Sequence, residues 1–294
     1  MTAVAPPQVP GPPDGRPDER SAAVRPLVIV PTYNERPNLP ALIEALLRID
    51  GLTILVVDDG SPDGTGAEAD RLAAAHPERV QVMHRRAARG LGRSYIDGMR
   101  QALASGATHV CQMDADFSHD PADVPRLLAA SAGADLVIGS RYVAGGTLRN
   151  WPLHRRLLSE FANHYVRLIT GLPVHDCTSG FRCWRRDLLA RLPLPQVVSD
   201  GYAFQVEMAW EALAAGGRIA EIPITFVERR QGASKLSGRV ITESVLLPWR
   251  LTMRRRARTA DARPAANHAY DSNPPAAANV ATPSPARDSK RATD

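Results

Sequence analysis

From residue 27 onward, short β-rich runs alternate with stretches whose apolar residues recur at helical spacing. The runs are LVIV (27–30), TILVV (53–57), VQVM (80–83), HVCQM (109–113) and DLVIG (135–139). Between them, Leu39, Leu42, Ile43 and Leu46 share one stripe behind Asn38, a candidate N-cap, and Thr65 with Glu68 spells a capping box. Ile96, Met99 and Leu103 repeat at helical spacing, and GLG at 90–92 reads as a tight turn opening a helix at Ser94. Asp120-Pro121 reads as an N-cap followed by a first-turn proline. Strand and helix in regular alternation imply right-handed crossovers and an α/β fold with a mostly parallel central sheet flanked by helices. In such a sheet, ligands bind beyond the carboxyl ends of the strands.

Polar clusters stand at those ends. PTYNE (31–35) follows the first run, DDGSPDGT (58–65) the second, DADFSHDP (114–121) the fourth and GSRY (139–142) the fifth. Along an extended strand alternate side chains share a face, so Asp114 and Asp116 point the same way. Carboxylates held that close repel unless a cation or water separates them. A strand ending in a polar capping turn would explain an isolated D-x-D, but four clusters converging on one sheet edge favour a binding site. The first strand is not followed by G-x-G-x-x-G, and G-x-x-x-x-G-K-[ST] is absent, so neither backbone phosphate cradle is available. Phosphates then have to be held by a metal, and two carboxylates suit Mg2+ or Mn2+, which complete their shells with diphosphate oxygens and water.

Composition narrows the remaining classes. Residues 1–24 and about 259–294 are rich in Pro, Ala and small polar residues without apolar periodicity, and are expected to be disordered. The first of these lacks the pattern of a signal peptide. The net charge of +5, from 36 basic and 31 acidic residues, is mild. With no aromatic-basic motif, nucleic-acid readout is not expected. Cys111, Cys177 and Cys183 form no disulfide framework or metal-ligand spacing, which points to a reducing cytoplasm. No run reaches the roughly 18–20 apolar residues of a membrane span. Residues 237–258 do combine Val240, Ile241, Val245, Leu246, Trp249 and Met253 with Arg250, Arg254, Arg255, Arg256 and Arg258. This amphipathic segment, with Pro248 as a candidate kink, either lies on a membrane surface or docks on the domain's own core.

The motifs PTYNE, VDDGSPDGT, GLG, MDADFSHDP and GSRYVAGG continue with Trp151, Arg155 and Ser159. DCTSGFR (176–182), GYAFQVEM (201–208) and PITFVERRQGASKL (223–236) complete the series. In this order, the chain resembles the polyprenol-phosphate (dolichol-phosphate) mannose synthases, family 2 inverting glycosyltransferases with a GT-A fold. The resemblance covers about residues 25–240 and implies a catalytic domain over 25–236. It implies transfer of mannose from GDP-mannose to polyprenyl phosphate; a UDP-sugar-dependent glucosyl- or aminosugar-transferase acting on the same lipid is the alternative. By resemblance, Pro31, Tyr33, Glu35, Asp58, Asp59, Asp114, Ala115 and Asp116 bind the nucleotide sugar, and Asp114 and Asp116 hold the cation. Arg141, Arg155, Ser159, Arg229 and Lys235 match positions that grip the acceptor phosphate, and Asp116, Arg141 and Arg229 carry catalysis.

The family pattern also implies a peripheral enzyme on the cytoplasmic face of the membrane, and in some members a membrane-anchored partner protein. Three departures stand out. Ser118 replaces a metal-binding Gln of some members, Ala88 replaces a Lys before GLG with Arg86 and Arg89 nearby, and Glu160-Phe161 replaces a commoner Arg-Gly. Other residues carry two readings each. Trp151, Phe181 and Trp184 are packing or lipid-contact residues rather than chemistry, and Asp176, Thr178 and Ser179 either shape a turn or serve the acceptor. Glu207 is an ion-pair anchor for Arg229 or an acceptor-side group, and His119 is a structural hydrogen bonder or a ligand.

Overall fold

A computed structural model describes residues 24–228 and 245–254. The five apolar runs form β1 (Pro26–Thr32), β2 (Thr53–Asp58), β3 (Val80–His84), β4 (His109–Gln112) and β5 (Leu136–Ser140). Alternation of side chains across the pleat sends Leu27 and Ile29 into one core, and Val28 and Val30 into another on the opposite face. Both faces of the sheet are therefore covered, which is why these strands read as unbroken apolar runs. β1 pairs in parallel with β2 from Leu27↔Thr53 to Thr32↔Asp58, and with β4 on its other side. That register brings the ends of β1, β2 and β4 to one edge.

Four strands escape the apolar-run pattern: β6 (Thr147–Arg149), β7 (Arg182–Arg185), β8 (Ile219–Pro223) and β9 (Thr225–Val227). The main sheet has the order β3-β2-β1-β4-β7-β5-β8, and β6 pairs with β9 in a separate two-stranded sheet. All pairings in the main sheet are parallel except those of β7, which runs antiparallel between β4 and β5. β7 reads RCWR, yet Arg182 is fully buried and donates to the carbonyls of Cys177, Ser179 and Gln205. Burial lowers its pKa to about 10.

The helices α1 (Leu39–Leu47), α2 (Thr65–Ala75) and α4 (Val124–Ala130) flank the sheet. Leu39, Leu42, Ile43, Leu46, Leu72 and Leu127 enter one core. α3 (Leu91–Ala104), α5 (Leu153–Thr170), α6 (Arg186–Arg191) and α7 (Gly201–Ala214) supply Tyr95, Met99, Val166, Leu188 and Phe204 to the other. Several expected helix starts are corrected. Asn38 is already helical and its side chain donates to Glu35, so it does not cap α1. Gly64 occupies the left-handed cap position of α2, Thr65 turns its hydroxyl to Asp63, and Glu68 pairs with Arg71 instead of closing a box. α3 opens at Leu91 rather than Ser94. Asp120 does cap its turn, accepting from the Ala122 N–H at 2.9 Å ahead of Pro121.

Residues 245–254 are helical, with Leu247 and Leu251 buried in the core that contains Val166 and Leu172. The side chain of Arg254 donates to buried Glu207 at 2.8 Å. This segment docks on the domain and also keeps Val245, Leu246, Trp249 and Met253 exposed. The expectations for residues 1–23, 237–244 and 255–294 lie outside the described residues. Among the described residues, no helix is long and apolar enough to cross a membrane.

Candidate active site

At the carboxyl edge of the sheet lies a cleft of about 500 Å3, lined by Pro31, Tyr33, Glu35, Asp59, Asp114, Ala115 and Asp116. Polar residues that end a strand cannot continue its apolar packing, so they gather where the sheet gives way to solvent. Asp58 is not among the lining groups. Its carboxylate closes the β2 turn instead, accepting from the hydroxyls of Thr32 (3.2 Å) and Ser61 (2.5 Å). Asp59 faces the cleft, accepts from the Gly90 N–H at 2.8 Å and pairs with buried Arg85. Arg85 also donates to Asp97 at 2.8 Å. Arg89 donates to the Tyr33 hydroxyl and places its guanidinium 4.4 Å from the ring centre, which puts a cation at the cleft wall next to Ala88.

The GLG turn is required by contact. A Cβ on Gly90 would sit 2.6 Å from Asp200 Oδ2, and one on Gly92 would sit 2.6 Å from the Ser199 carbonyl. Asp200 caps α7 by accepting from the Gly201 N–H and also accepts from the Gly92 N–H at 2.7 Å. The cleft wall is thus tied together across more than a hundred residues of chain.

Asp114 accepts from the Tyr95 hydroxyl at 2.9 Å. Burial, and then the nearby Asp114 charge, pushes the Tyr95 phenol well above its usual pKa, so it stays protonated as a donor. Asp116 is buried and accepts from the Ser118 N–H at 3.0 Å. That fold-back passes through Phe117, which adopts a left-handed φ of 59°. Gly180 lines the cleft beside them, and a Cβ there would make ordinary contact 3.6 Å from Asp114 Oδ2. Among the described residues, no group of three or more His, Cys, Asp or Glu side chains is arranged to hold a metal. A two-carboxylate donor set beside an open cleft fits a hard cation that takes its other ligands from diphosphate and water.

Thr178 also lines the cleft and leads to Arg141. Arg141 Nε and Nη2 donate to the two oxygens of Asp176 at 2.7 and 2.6 Å, and Nη2 donates to the Thr178 hydroxyl at 2.7 Å. Burial opposes ionisation of both groups, but their mutual attraction wins, holding Asp176 below and Arg141 above their ordinary pKa values. The rings of Tyr142, Trp151 and Phe226 surround the guanidinium at 5.3, 5.5 and 5.3 Å. Asp176 is therefore the anchor of Arg141, more than a turn-shaping residue. Asn163, from the buried side of α5, reaches Thr178 at 3.3 Å.

The other expected acceptor-side residues are more dispersed. Arg155 pairs with Glu228 at the edge of the small sheet, Ser159 stands on α5 beside Tyr142, and Arg229 and Lys235 lie outside the described residues. Phe181 and Trp184 are fully buried, and Trp151 packs on Phe226. His119 stacks on Phe181 at 5.0 Å, and its buried Nδ1 has no hydrogen-bond partner among the described residues. It packs there rather than serving as the hydrogen bonder the motif suggests. Glu207 anchors Arg254. Arg85, Tyr95 and Asp200 are site residues that the motifs did not single out; each is polar within an otherwise structural stretch, and only its distant partner marks it.

The glycosyl transferase family 2 profile matches residues 27–192, more than half of the chain. The polyprenol monophosphomannose synthase of Mycolicibacterium smegmatis is 50% identical over 243 residues, covering 81% of this chain and 92% of the relative. The undecaprenyl-phosphate mannosyltransferase of Micrococcus luteus is 47% identical over 224 residues, covering 76% and 92%. Among solved structures, the glucosyl-3-phosphoglycerate synthase of Mycobacterium tuberculosis, in complex with phosphoglyceric acid, superposes with a TM-score of 0.60. At 20% identity, over 80% of this chain and 86% of that one, it is a likeness of fold. With its carboxylate pair at the sheet edge and this identity over most of its length, the chain belongs to glycosyl transferase family 2 and to the polyprenol-phosphate mannose synthases within it.

Proposed function

We propose that this protein transfers mannose from GDP-mannose to a polyprenyl phosphate, with inversion at the anomeric carbon. The observation that carries this reading is one cleft lined both by the carboxylates of Asp114 and Asp116 and by Thr178, the hydrogen-bond partner of Arg141. Tyr33, Glu35 and Asp59 receive the nucleoside, with Arg89 and Arg85 holding Tyr33 and Asp59 in place. Asp114 and Asp116 hold a divalent cation, Mg2+ or Mn2+, which when bound neutralises the diphosphate leaving group. Arg141, fixed by Asp176, orients the acceptor phosphate; Arg229 and Lys235, which follow β9 in sequence, contribute further charge.

In the reaction, an acceptor phosphate oxygen forms a bond to the anomeric carbon as the bond from that carbon to the GDP β-phosphate oxygen breaks. A phosphate monoester, with a second pKa of about 6, is mostly dianionic at neutral pH. It needs no base to remove a proton, so the chain's task is alignment and charge balance. The three cysteines are buried and unpaired, which suits a reducing cytoplasm, with the lipid acceptor reached from that face of the membrane.

Incubation with polyprenyl phosphate and either radiolabelled GDP-mannose or radiolabelled UDP-glucose tests the reading. Label from GDP-mannose is expected in the organic phase, and EDTA is expected to abolish it. Preferential transfer from UDP-glucose would replace mannose with glucose in the assignment. Full transfer by Asp116→Ala would defeat the role of the carboxylate pair.

A further inference from the structure

α7 is buried along most of its length, and Ala203, Phe204, Val206, Met208 and Ala209 make that buried run largely apolar. Gln205 interrupts it at 3% exposure. Its backbone carbonyl accepts from Arg182 at 2.8 Å, and the same guanidinium binds the carbonyls of Cys177 and Ser179, so α7 and the loop before β7 are locked together. The side chain of Gln205 takes no part in that lock. Its Oε1 is buried with no hydrogen-bond partner among the described residues, and of the buried side-chain atoms in that condition it is the one whose residue lines the cleft. Glu207, two residues on, is by contrast bonded to Arg254 and to the Ser199 N–H. A buried carbonyl without a donor costs free energy that a methionine or leucine of similar size would avoid, so packing does not account for a glutamine here.

Strand order places this carboxamide between the two phosphates of the proposed reaction. Across the carboxyl edge the sheet runs β2, β1, β4, β7, β5. Asp59 follows β2, Tyr33 follows β1, Asp114 and Asp116 follow β4, and Arg141 follows β5. β7 is antiparallel to its neighbours, so its start stands at this edge, with Arg182 opposite Gln112 and Gly180 just before it. A Cβ on Gly180 would lie 3.4 Å from Gln205 Nε2 and 3.6 and 3.8 Å from the two Asp114 oxygens, so the carboxamide and the carboxylate border one spot on the cleft wall. In the reaction proposed above, the nucleoside diphosphate lies on the β1, β2 and β4 side of that spot and the acceptor phosphate on the β5 side. What lies between them is the sugar, whose anomeric carbon passes from one phosphate oxygen to the other.

We infer that the Gln205 carboxamide hydrogen-bonds a hydroxyl of the transferred sugar and helps to select which hexose is transferred. The inference rests on the glycosyl-transfer reading above and deepens it. A hydroxyl both donates and accepts, and the spot beside Gly180 offers it a donor, Gln205 Nε2, and an acceptor, Asp114. With no partner holding Oε1, a half-turn about the last side-chain bond exchanges the two ends of the carboxamide, so it can meet a hydroxyl with either its N–H or its carbonyl. Being neutral, it does this without adding charge beside the carboxylate pair. Mannose and glucose differ in the direction of one hydroxyl, and a group that reads hydroxyls can tell such sugars apart.

The test compares the full-length wild type with Gln205→Met, which keeps the length of the side chain and removes both polar atoms. The variant is expected to melt no lower than wild type, while kcat/KM for GDP-mannose falls about tenfold or more. Affinity for GDP in the presence of Mn2+ should stay within about twofold, since GDP lacks the sugar. Among GDP-mannose analogues that each lack one sugar hydroxyl, wild type should lose transfer sharply with at least one. Gln205→Met should show no further loss with that same analogue, because the contact is already gone. Deoxy penalties identical in the two proteins overturn the inference, as does a fall in GDP affinity equal to that for GDP-mannose. If Gln205→Met melts below wild type, Gln205→Leu goes through the same series; a lower melting temperature in both makes Gln205 a packing residue and also overturns the inference. Wild-type transfer from UDP-glucose in place of GDP-mannose would refute the mannose reading alone, and UDP against UDP-glucose and its deoxy analogues then decides the role of Gln205.

Discussion

The Arg141–Asp176 pair allows a quantitative test of how the acceptor end is built. The two side chains are 5% and 0% exposed, and Asp176 accepts from both arms of the guanidinium and from the Arg141 backbone N–H at 3.0 Å. Removing one partner strands a buried charge, at a cost of roughly 3–5 kcal/mol. At about 2–4 °C per kcal/mol for a domain of this size, Asp176→Leu should lower the melting temperature by roughly 6–20 °C. Arg141→Met should do comparable harm. The double variant removes both charges, leaving mainly the Arg141 N–H without its acceptor, a penalty of about 1–3 kcal/mol. It should therefore be more stable than either single variant, as read by thermal and urea unfolding. Destabilisation of the double variant equal to the sum of the singles would refute this account. The pH dependence has a definite sign. Asp176 has a folded pKa below its unfolded value, so its stabilisation is present above the ordinary carboxylate pKa and is lost as pH falls through the folded one. The stability gap between wild type and Asp176→Leu should accordingly narrow below about pH 4.

Three other outcomes follow from the cleft. Tyr95→Phe keeps the ring stacked on Phe204 at 5.9 Å but removes the donor to Asp114. A hydrogen bond to a charged group is worth about 1.5–3 kcal/mol, so Mn2+ affinity, titrated by electron paramagnetic resonance with GDP present, should change by roughly tenfold or more; an unchanged titration would remove Tyr95 from the site. Gly92→Ala forces a methyl to 2.6 Å from the Ser199 carbonyl and 3.0 Å from Phe204. It should cost about 1–3 kcal/mol and raise KM for the donor, and a wild-type melting curve would show that the wall yields freely. Divalent-ion depletion should stop mannose transfer, and either Mg2+ or Mn2+ added back should restore it; full activity after depletion would exclude the metal reading.

What the sequence determined by itself is what neighbours along the chain decide. The five strands were legible as apolar runs because both faces of the sheet are covered, and the polar clusters at their ends marked the cleft because such residues cannot continue the packing. Asp120 was legible as a cap, since its acceptor role is satisfied two residues away. Tertiary structure decided the pairings. β7 was hidden because Arg182 reads as surface, until three carbonyls brought together from separate segments satisfy it inside the core. Asn38 and Thr65 were misread as caps because Glu35 and Asp63 claimed their side chains. Asp58 and Asp59 are adjacent in sequence, but one carboxylate closes a turn with Ser61 and the other, at the cleft, meets the Arg85 guanidinium and the Gly90 N–H. Asp176 finds Arg141 35 residues away, and Glu207 finds Arg254 47 residues away. A buried charge takes whichever opposite charge the fold brings within hydrogen-bonding distance, and local pattern carries no record of that choice.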